Sequence, residues 1–330
     1  MSTLSTPQPE ALPPMRPPSA PASLAARAKR TSHSWWAPYF FIGPFLLIFV
    51  TFVIYPLFQS LYLSTQITAG PDRSRFIGIH NYTLLAGDHL FWTALANTVY
   101  FAAGSLLLQM PCALALALLL NQKTLKGRAF FRLVFFSPYL MGLVFVGLLV
   151  NIMLGENTGL VDRLLHGVAA LFGGDQNGHL LAFPWLKEYV RPALVLTALW
   201  VYTGFNMIYF LAALQNVPTE LLEAAQVDGA GPWRRFWHIT LPSIRPVASY
   251  ITLLSLLGSF QLFELPYVLF AGSGSIYGPD DQGATIVSYL YNYGFTFGNL
   301  GRACAMGWVL AILLLIFAIG YRYLTRAEDK

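Results

Sequence analysis

Charged residues in this chain are gathered into clusters. Between the clusters lie windows without a formal charge at 31–71, 89–122, 133–155, 192–219 and 303–321, and a further one, 246–279, is interrupted only by Glu264. Each is long enough for a helix to cross a hydrocarbon core of ~30 Å, which takes about 20 predominantly apolar residues. Lipid offers backbone N–H and C=O groups no partner, so long apolar runs without strand alternation must be helical. Spans are predicted near 38–63, 92–120, 131–153, 193–214, 246–270 and 303–323. Composition agrees: 11% of residues are charged and 56% hydrophobic, where soluble domains carry about 25% charged residues. The fold class is an all-α polytopic membrane protein with six transmembrane helices.

Lys and Arg set the orientation, because they accumulate on the cytoplasmic side. Of the 20 basic residues, fourteen fall on one side: the tail 1–37, the 121–132 segment, the loop before the fifth span and the C-terminus. The other side holds six, namely Arg73, Arg75, Arg163, Lys187, Arg191 and Arg302. Both termini are therefore expected to be cytoplasmic. A seventh span over 282–301 is rejected, since that stretch is rich in Asn, Tyr, Thr and Gly and would put the basic C-terminus outside. The net charge of +5 is the sum of these flanking cations. It points to membrane lipid as a partner and not to nucleic acid.

Residues 1–34 read as a disordered Pro/Ala-rich cytoplasmic tail, with seven of the 21 prolines in the first 21 residues and no apolar face to bury. The membrane domain occupies 35–330. The apolar run from Pro38 is too long for a signal-peptide core and lacks a small-residue cleavage site, so it is read as an uncleaved first span. Three outer segments join the spans: 64–91 carries "RFIGIHNY", 154–192 carries "GLVDRLLHGVAALFGG", and 271–302 is rich in Gly and Tyr. The second is expected to form an interfacial helix, with Leu164, Leu165 and Val168 at helical spacing. None reaches the size of a folded domain, about 50 residues, so solute capture outside falls to another protein. Cys112 and Cys304 lie within predicted spans and read as packing residues. The six histidines are scattered over tail, loops and interface, in no metal-ligand or catalytic spacing.

The loop 218–242 interrupts the apolar pattern: "PTELLEAAQVDGAGPWRRFWHITLP". Pro218-Thr219 offers a helix start, with Glu220 in the first turn at the positive end of the dipole. A helix to about Val227 follows, placing Leu221, Leu222 and Ala225 on one face. Gly229 sits where a left-handed glycine ends a helix. Pro232 starts a second short helix, with Trp233, Phe236, Trp237 and Thr240 on one face, and Pro242 marks entry to the fifth span. Each helix is about nine residues, or ~14 Å, far short of a bilayer. The residues alone leave two readings open, an amphipathic segment resting on lipid and a docking element for a partner.

The stretch "EAAQVDGAGPWRRFWHITLP" resembles the EAA loop of the integral-membrane permeases of binding-protein-dependent ABC importers. The matching positions are Glu223, Ala224, Ala225, Asp228, Gly229, Ala230, Phe236, Ile239, Leu241 and Pro242. "ALQNVPTELLEAA", "FIGIHNY", "GLVDRLL" and "LGRACAMGWVL" are similar to stretches of the sugar-permease subfamily, the maltose, lactose and glycerol-phosphate type, and extend the likeness over residues 38–325. The pattern departs from the family at Asp162, where Asn is usual, and over "AGSGSIYGPDDQGA", where Gly-Gly-Pro is common.

The resemblance implies a type I importer permease fold in the bacterial cytoplasmic (inner) membrane. It also implies one half of a permease heterodimer, a homodimeric cytoplasmic ATPase and an extracytoplasmic solute-binding protein. Glu223, Ala224, Ala225, Asp228 and Gly229 take the coupling role, Glu223 as charged anchor and Gly229 as bend, with Arg234 and Arg235 available to acids on the ATPase. The chain has no Gly-Lys dipeptide, hence no phosphate loop of the Walker type. It is expected to be no enzyme and to bind no cofactor, ATP and Mg being used by the partner ATPase. Solute contacts in the family come largely from the helices flanking the loop. The candidates are Trp200, Tyr202, Phe205, Asn206 and Tyr209 in the fourth span and Ser259, Gln261 and Glu264 in the fifth. Aromatic faces and amide or carboxylate acceptors suit sugar rings, while polar side chains also serve as glue between helices. Glu264 stands apart, because an acid in a span is costly and faces a cavity or partner. The expected cargo is an oligosaccharide or related carbohydrate. The alternatives are an ion-coupled secondary carrier, an importer of a non-sugar solute such as a glycerol phosphate ester, and a membrane anchor or receptor without transport.

Overall fold

The computed structural model describes residues 37–68, 74–122, 124–155, 159–171, 184–270 and 274–327. The predicted tail 1–34 lies outside them. Residues 1–57 and 58–330 form separate units. The described part of the first comprises α1 (Ala37–Phe49), a π-helical turn (Val50–Ile54) and the start of α2 (Tyr55–Ser64). Its large apolar side chains from Tyr39 to Val53 are exposed, Phe40 and Phe41 to about 80%.

Among the described residues, five helices are long and apolar enough to cross a membrane: Tyr39–Ser64, His89–Asn121, Val190–Gln215, Pro232–Phe270 and Leu300–Tyr323. A sixth span exists only if the pair α5 (Arg128–Leu140) and α6 (Leu143–Leu154) is taken as one, and these meet at 98°. The span predicted near 131–153 is thus broken at Met141–Gly142, three residues after Pro138, which cannot donate to the helix ladder. The predicted span over 246–270 is also interrupted: α11 (Leu241–Phe260) and α12 (Glu264–Phe270) are separated by the non-helical residues 261–263.

The second unit is built around α4 (His89–Asn121) and α8 (Val190–Gln215), which run against each other. Small residues on α4 recur at helical spacing and are buried: Ala94, Ala102, Ala113 and Ala117, with Asn97, Thr98, Ser105 and Gln109 among them. They admit Val195, Ala198, Val201 and Met207 of α8. On the other side of α8 the α5 backbone passes so close to Gly204 that a Cβ there would lie 1.8 Å from the carbonyl oxygen of Phe135. The half-helices α6 and α12 pack together and against α8 through Val146, Val150, Leu194, Leu265 and Leu269. In this way the two broken spans share one wall.

One end of this unit is tied by long-range polar contacts. A short antiparallel hairpin, β1 (Gln66–Thr68) and β2 (Ser74–Phe76), pairs Ile67 with Arg75. Gly78 (φ +61°) turns the chain into α3 (His80–Ala86), where Asn81 Nδ2 donates to the carbonyls of Ser64 and Gln66, both at 2.8 Å, and the Tyr82 hydroxyl donates to Ser64 Oγ at 2.9 Å. The "FIGIHNY" stretch thus fastens the end of α2. Asp88 caps α4 through the Leu90 N–H and pairs with Arg302 at the start of α14 (Leu300–Ala327). Tyr289, on α13 (Ile286–Tyr291), donates its hydroxyl to the same carboxylate, and Arg302 lies over the Tyr293 ring at 4.3 Å. Burial pushes the Tyr277 hydroxyl up to about 12, and burial together with the Asp88 carboxylate raises Tyr289. A helix does form in 154–192, α7 (Leu160–Leu171), with Leu164 and Val168 exposed. Cys112, expected as a packing residue, is exposed on α4; Cys304 is half-buried.

Candidate functional site

The loop 218–242 begins with α9 (Thr219–Val227), capped by no side chain at Pro218. It ends in a Schellman turn: the Gly229 N–H reaches the Gln226 carbonyl at 3.1 Å and the Ala230 N–H the Ala225 carbonyl at 2.9 Å. Gly229 has φ +80° with open space where a Cβ would stand, so the backbone conformation alone selects glycine. Leu222 and Ala225 turn inward, Leu222 against the core formed by Leu214, Val217 and Ile244. Glu223, Ala224 and Asp228 are exposed, as are Leu221 and Val227, the latter to 88%. Arg234 is exposed, while Arg235 donates from Nη1 to Gln226 Oε1 at 3.1 Å and so braces the second arm of the loop on the first.

The second arm is not a separate helix. α10 (Pro232–Arg235) passes through a π turn (Phe236–Thr240) directly into α11, making one helix with no break at Pro242. The π turn has a local cause. Leu241 bonds back five residues to Phe236, and Pro242 has no N–H with which to restore the regular ladder. Tyr55–Pro56 follows the π turn of 50–54 in the same way. From Pro232 to Ser255 this helix covers roughly 35 Å at about 1.5 Å per residue.

At its far end α11 reaches a cavity of about 530 Å³, and both helix breaks open onto it. Tyr139 and Leu143 flank the α5–α6 break, and Gln261, Leu262, Phe263 and Glu264 form the α11–α12 break. Of the predicted solute-path residues, Tyr202, Phe205, Asn206, Ser259, Gln261 and Glu264 line this one cavity. Trp200 does not. It lies on another face of α8, 44% exposed, against a separate apolar pocket with Met153 and Leu196. Tyr209 does not line it either, but backs Phe205 ring to ring at 5.0 Å.

Among the wall residues that escaped the sequence reading are Gln109 of α4, Tyr139 of α5, and Phe101 and Ser255. Gln109 left a signal, an amide in the middle of a charge-free window. Tyr139 left none, because nothing local says that Phe135 and Gly204 cross in contact. The Tyr139 ring stacks on Phe205 at 4.4 Å and meets Tyr202 edge-on at 6.0 Å, giving a layered aromatic wall. The same cavity is lined by polar groups. Asn206 is 1% exposed, accepts from Ser255 Oγ at 3.4 Å, and its Nδ2 has no hydrogen-bond partner among the described residues. Glu264 is exposed into the cavity and is the only charged side chain among those lining it.

Residues 109–330 match the family described as binding-protein-dependent transport system inner membrane component. The arabinooligosaccharides transport system permease protein AraP of Bacillus subtilis (strain 168) is 37% identical over 286 residues, 86% of this chain and 86% of that protein. The lactose transport system permease protein LacF of Rhizobium radiobacter is 32% identical over 287 residues, 87% of this chain and 93% of that one. Among solved structures, a chain of a bacterial ABC transporter involved in the import of the acidic polysaccharide alginate aligns with a TM-score of 0.75 at 26% identity, covering 89% of this chain and 96% of that one. With its multi-pass apolar helices and its EAA loop, the chain belongs to the binding-protein-dependent transport system inner membrane components, as a permease subunit of an ABC importer.

Proposed function

We propose that this chain translocates a neutral oligosaccharide through the cavity at the two helix breaks. The observation that carries the reading is the make-up of that cavity: Tyr139 stacked on Phe205, with Asn206, Gln261 and Glu264 lining the same space. Aromatic faces accept the C–H faces of sugar rings. Amide and carboxylate oxygens accept hydroxyl protons, and the unpartnered Asn206 Nδ2 offers a donor whose desolvation cost a ligand would remove. The breaks place irregular backbone beside this cavity, which a membrane tolerates where the backbone is buried in protein or lines a water-filled space. The sugar-transport names carried by AraP and LacF support the same class. An anionic solute such as a glycerol phosphate ester is disfavoured, since the one charge in the wall is negative.

In this reading both termini and the loop 218–242 are cytoplasmic, and the chain pairs with a second permease. Glu223, Ala224, Ala225, Asp228 and Gly229 dock on a homodimeric ATPase, with Arg234 beside them. ATP and Mg stay on that partner, and a binding protein delivers solute at the outer face. The continuous helix from Pro232 gives the motion a route. A displacement of the loop is carried along α10–α11 as a rigid rod to Ser255 and Ser259, and ends at the break 261–263, where the ladder is interrupted and the wall can rearrange.

The test is uptake of labelled arabinotriose, lactose and glycerol 3-phosphate by vesicles holding the full complex with its binding protein. ATP-driven accumulation of one of the sugars, unaffected by a protonophore, is the expected result. Accumulation that needs an ion gradient and no ATP would establish the secondary-carrier reading instead. Preference for glycerol 3-phosphate would overturn the sugar.

A further inference from the structure

We infer that Phe263, Tyr267, Tyr291 and Phe295 form a stepped aromatic row that receives sugar rings at the mouth of the cavity and hands them to its wall. The inference rests on the sugar reading above and adds a binding surface outside the cavity. Phe263 belongs to the wall. Its ring lies 5.1 Å from Tyr267 and 4.9 Å from Tyr291; Tyr267 and Tyr291 are 5.5 Å apart, and Tyr291 stacks on Phe295 at 5.0 Å. The row begins half-buried and ends with Phe295 at 71% exposure.

A second ladder on the same segment shows why this one calls for an occupant. Tyr289, Tyr293 and Phe297 are also in ring contact, at 4.9 and 5.4 Å. They have partners in the fold: Tyr289 is buried against the Asp88–Arg302 pair, and Tyr293 lies under the Arg302 guanidinium. Tyr291 and Phe295, at i and i+4, take the other face, and it points at the cavity side, where Val287 one turn earlier is itself part of the wall. The segment is held firmly enough to present that face. Thr285 caps α13 and donates Oγ1 to the Leu262 carbonyl at 2.7 Å, within the α11–α12 break, and the Ile286 N–H bonds Thr98 Oγ1 at 3.1 Å. Rings at such spacing offer successive stacking positions to any sugar ring without demanding one orientation, which suits a path more than a tight site.

The test uses the same vesicles and measures initial uptake of arabinotriose and lactose. Phe295→Leu keeps apolar bulk and removes the ring, whereas Phe295→Trp keeps a ring. Tyr291→Leu and Tyr291→Phe form the second pair. The inference expects the leucine variants to raise the apparent KM roughly three- to ten-fold, the scale of one lost aromatic contact. Vmax and complex yield should stay within about two-fold, and the Trp and Phe variants should match wild type. Leucine variants with unchanged KM, in a wild type that imports either sugar, would overturn the row and leave the sugar reading intact. Leucine variants that lower complex yield while surviving complexes keep a normal KM would also overturn it, making these residues packing against another subunit. A wild-type complex that imports neither sugar would remove the sugar reading, and the row with it.

Discussion

The loop 218–242 and the Asp88–Arg302 end of the second unit are built by opposite means. The loop holds itself: a proline start, a Schellman turn at Gly229, one Arg235–Gln226 bond between its arms, and little else beyond Leu222 and Ala225 tucked inward. At the other end several fastenings join residues far apart in sequence, as with Asp88 and Arg302, Asn97 and the Asp281 and Ala284 carbonyls at 2.8 and 3.0 Å, and Thr68 with Gly301. A surface that must engage and release a partner is left exposed with its shape set locally. An end that must stay assembled while helices move is sewn across elements. Substitutions should therefore cost stability at one end and coupling at the other.

The largest loss of stability is expected from Gly301→Ala. A Cβ at Gly301 would stand 1.8 Å from the Gln66 carbonyl oxygen, backbone against backbone, so the hairpin must leave α14. About 3 kcal/mol is expected, the upper end for forced overpacking, seen as a drop in the melting temperature of the purified complex. Gly229→Ala meets nothing within 4 Å and should cost about 1 kcal/mol, from the left-handed backbone alone. Equal melting temperatures for the two variants would break the contrast.

Asp88→Asn comes next. The pair is 16% and 19% exposed, so solvent screens part of it, and about 1–2 kcal/mol is expected, less than for a fully buried pair. The Asn keeps the Leu90 cap, which isolates the loss to Arg302 and Tyr289. Arg302→Gln in the Asp88→Asn background should cost less than in the wild type, measured as a thermodynamic cycle of melting curves. Strict additivity would show that the contact carries no coupling.

Glu223→Lys and Gly229→Asp should act in the reverse sense. Each is expected to change stability by no more than about 1 kcal/mol, since both positions are exposed. Each should nonetheless abolish co-purification of the ATPase and solute-stimulated hydrolysis. Full retention of both in the two variants would remove the loop from the coupling role.

The same contrast decides what was legible in the sequence. Charge-free windows and helix punctuation are local signals, so the spans, the α9 boundary and the bend at Gly229 could be read directly. Tyr202, Phe205, Asn206, Ser259, Gln261 and Glu264, named from the resemblance of the loop between their helices, line one cavity. Tyr139 could not be read, since it enters the wall only because α5 crosses α8 at Gly204. Trp200 was misplaced for a related reason: on a helix 61% buried over its apolar window, composition does not tell the cavity face from the outer one. The break at Met141–Gly142 was missed because an apolar window records length and not direction. The Asp88–Arg302 pair spans 214 positions, and no local pattern points to it.

The smallest stability change, and the sharpest test of the cavity, is expected at Glu264. Its carboxylate opens into the cavity at the first turn of α12, so Glu264→Gln should move the melting temperature by no more than the equivalent of about 0.5 kcal/mol. The effect belongs in affinity. A charged acceptor holds a hydroxyl more strongly than an amide by about 1 kcal/mol, which predicts a roughly five-fold rise in apparent KM for the imported sugar. Ranking among sugars should shift as well, because an amide can also donate. If Glu264 were glue between helices, Glu264→Ala would lower complex yield and melting temperature with every solute, and Glu264→Gln would leave uptake untouched. If it carried protons, wild-type uptake would collapse with a protonophore at constant ATP. Uptake of arabinotriose and lactose by Glu264→Gln, normalised to assembled complex, separates the three. Unchanged KM and ranking would take Glu264 out of the solute path and leave Asn206 and Gln261 as the polar side of the wall.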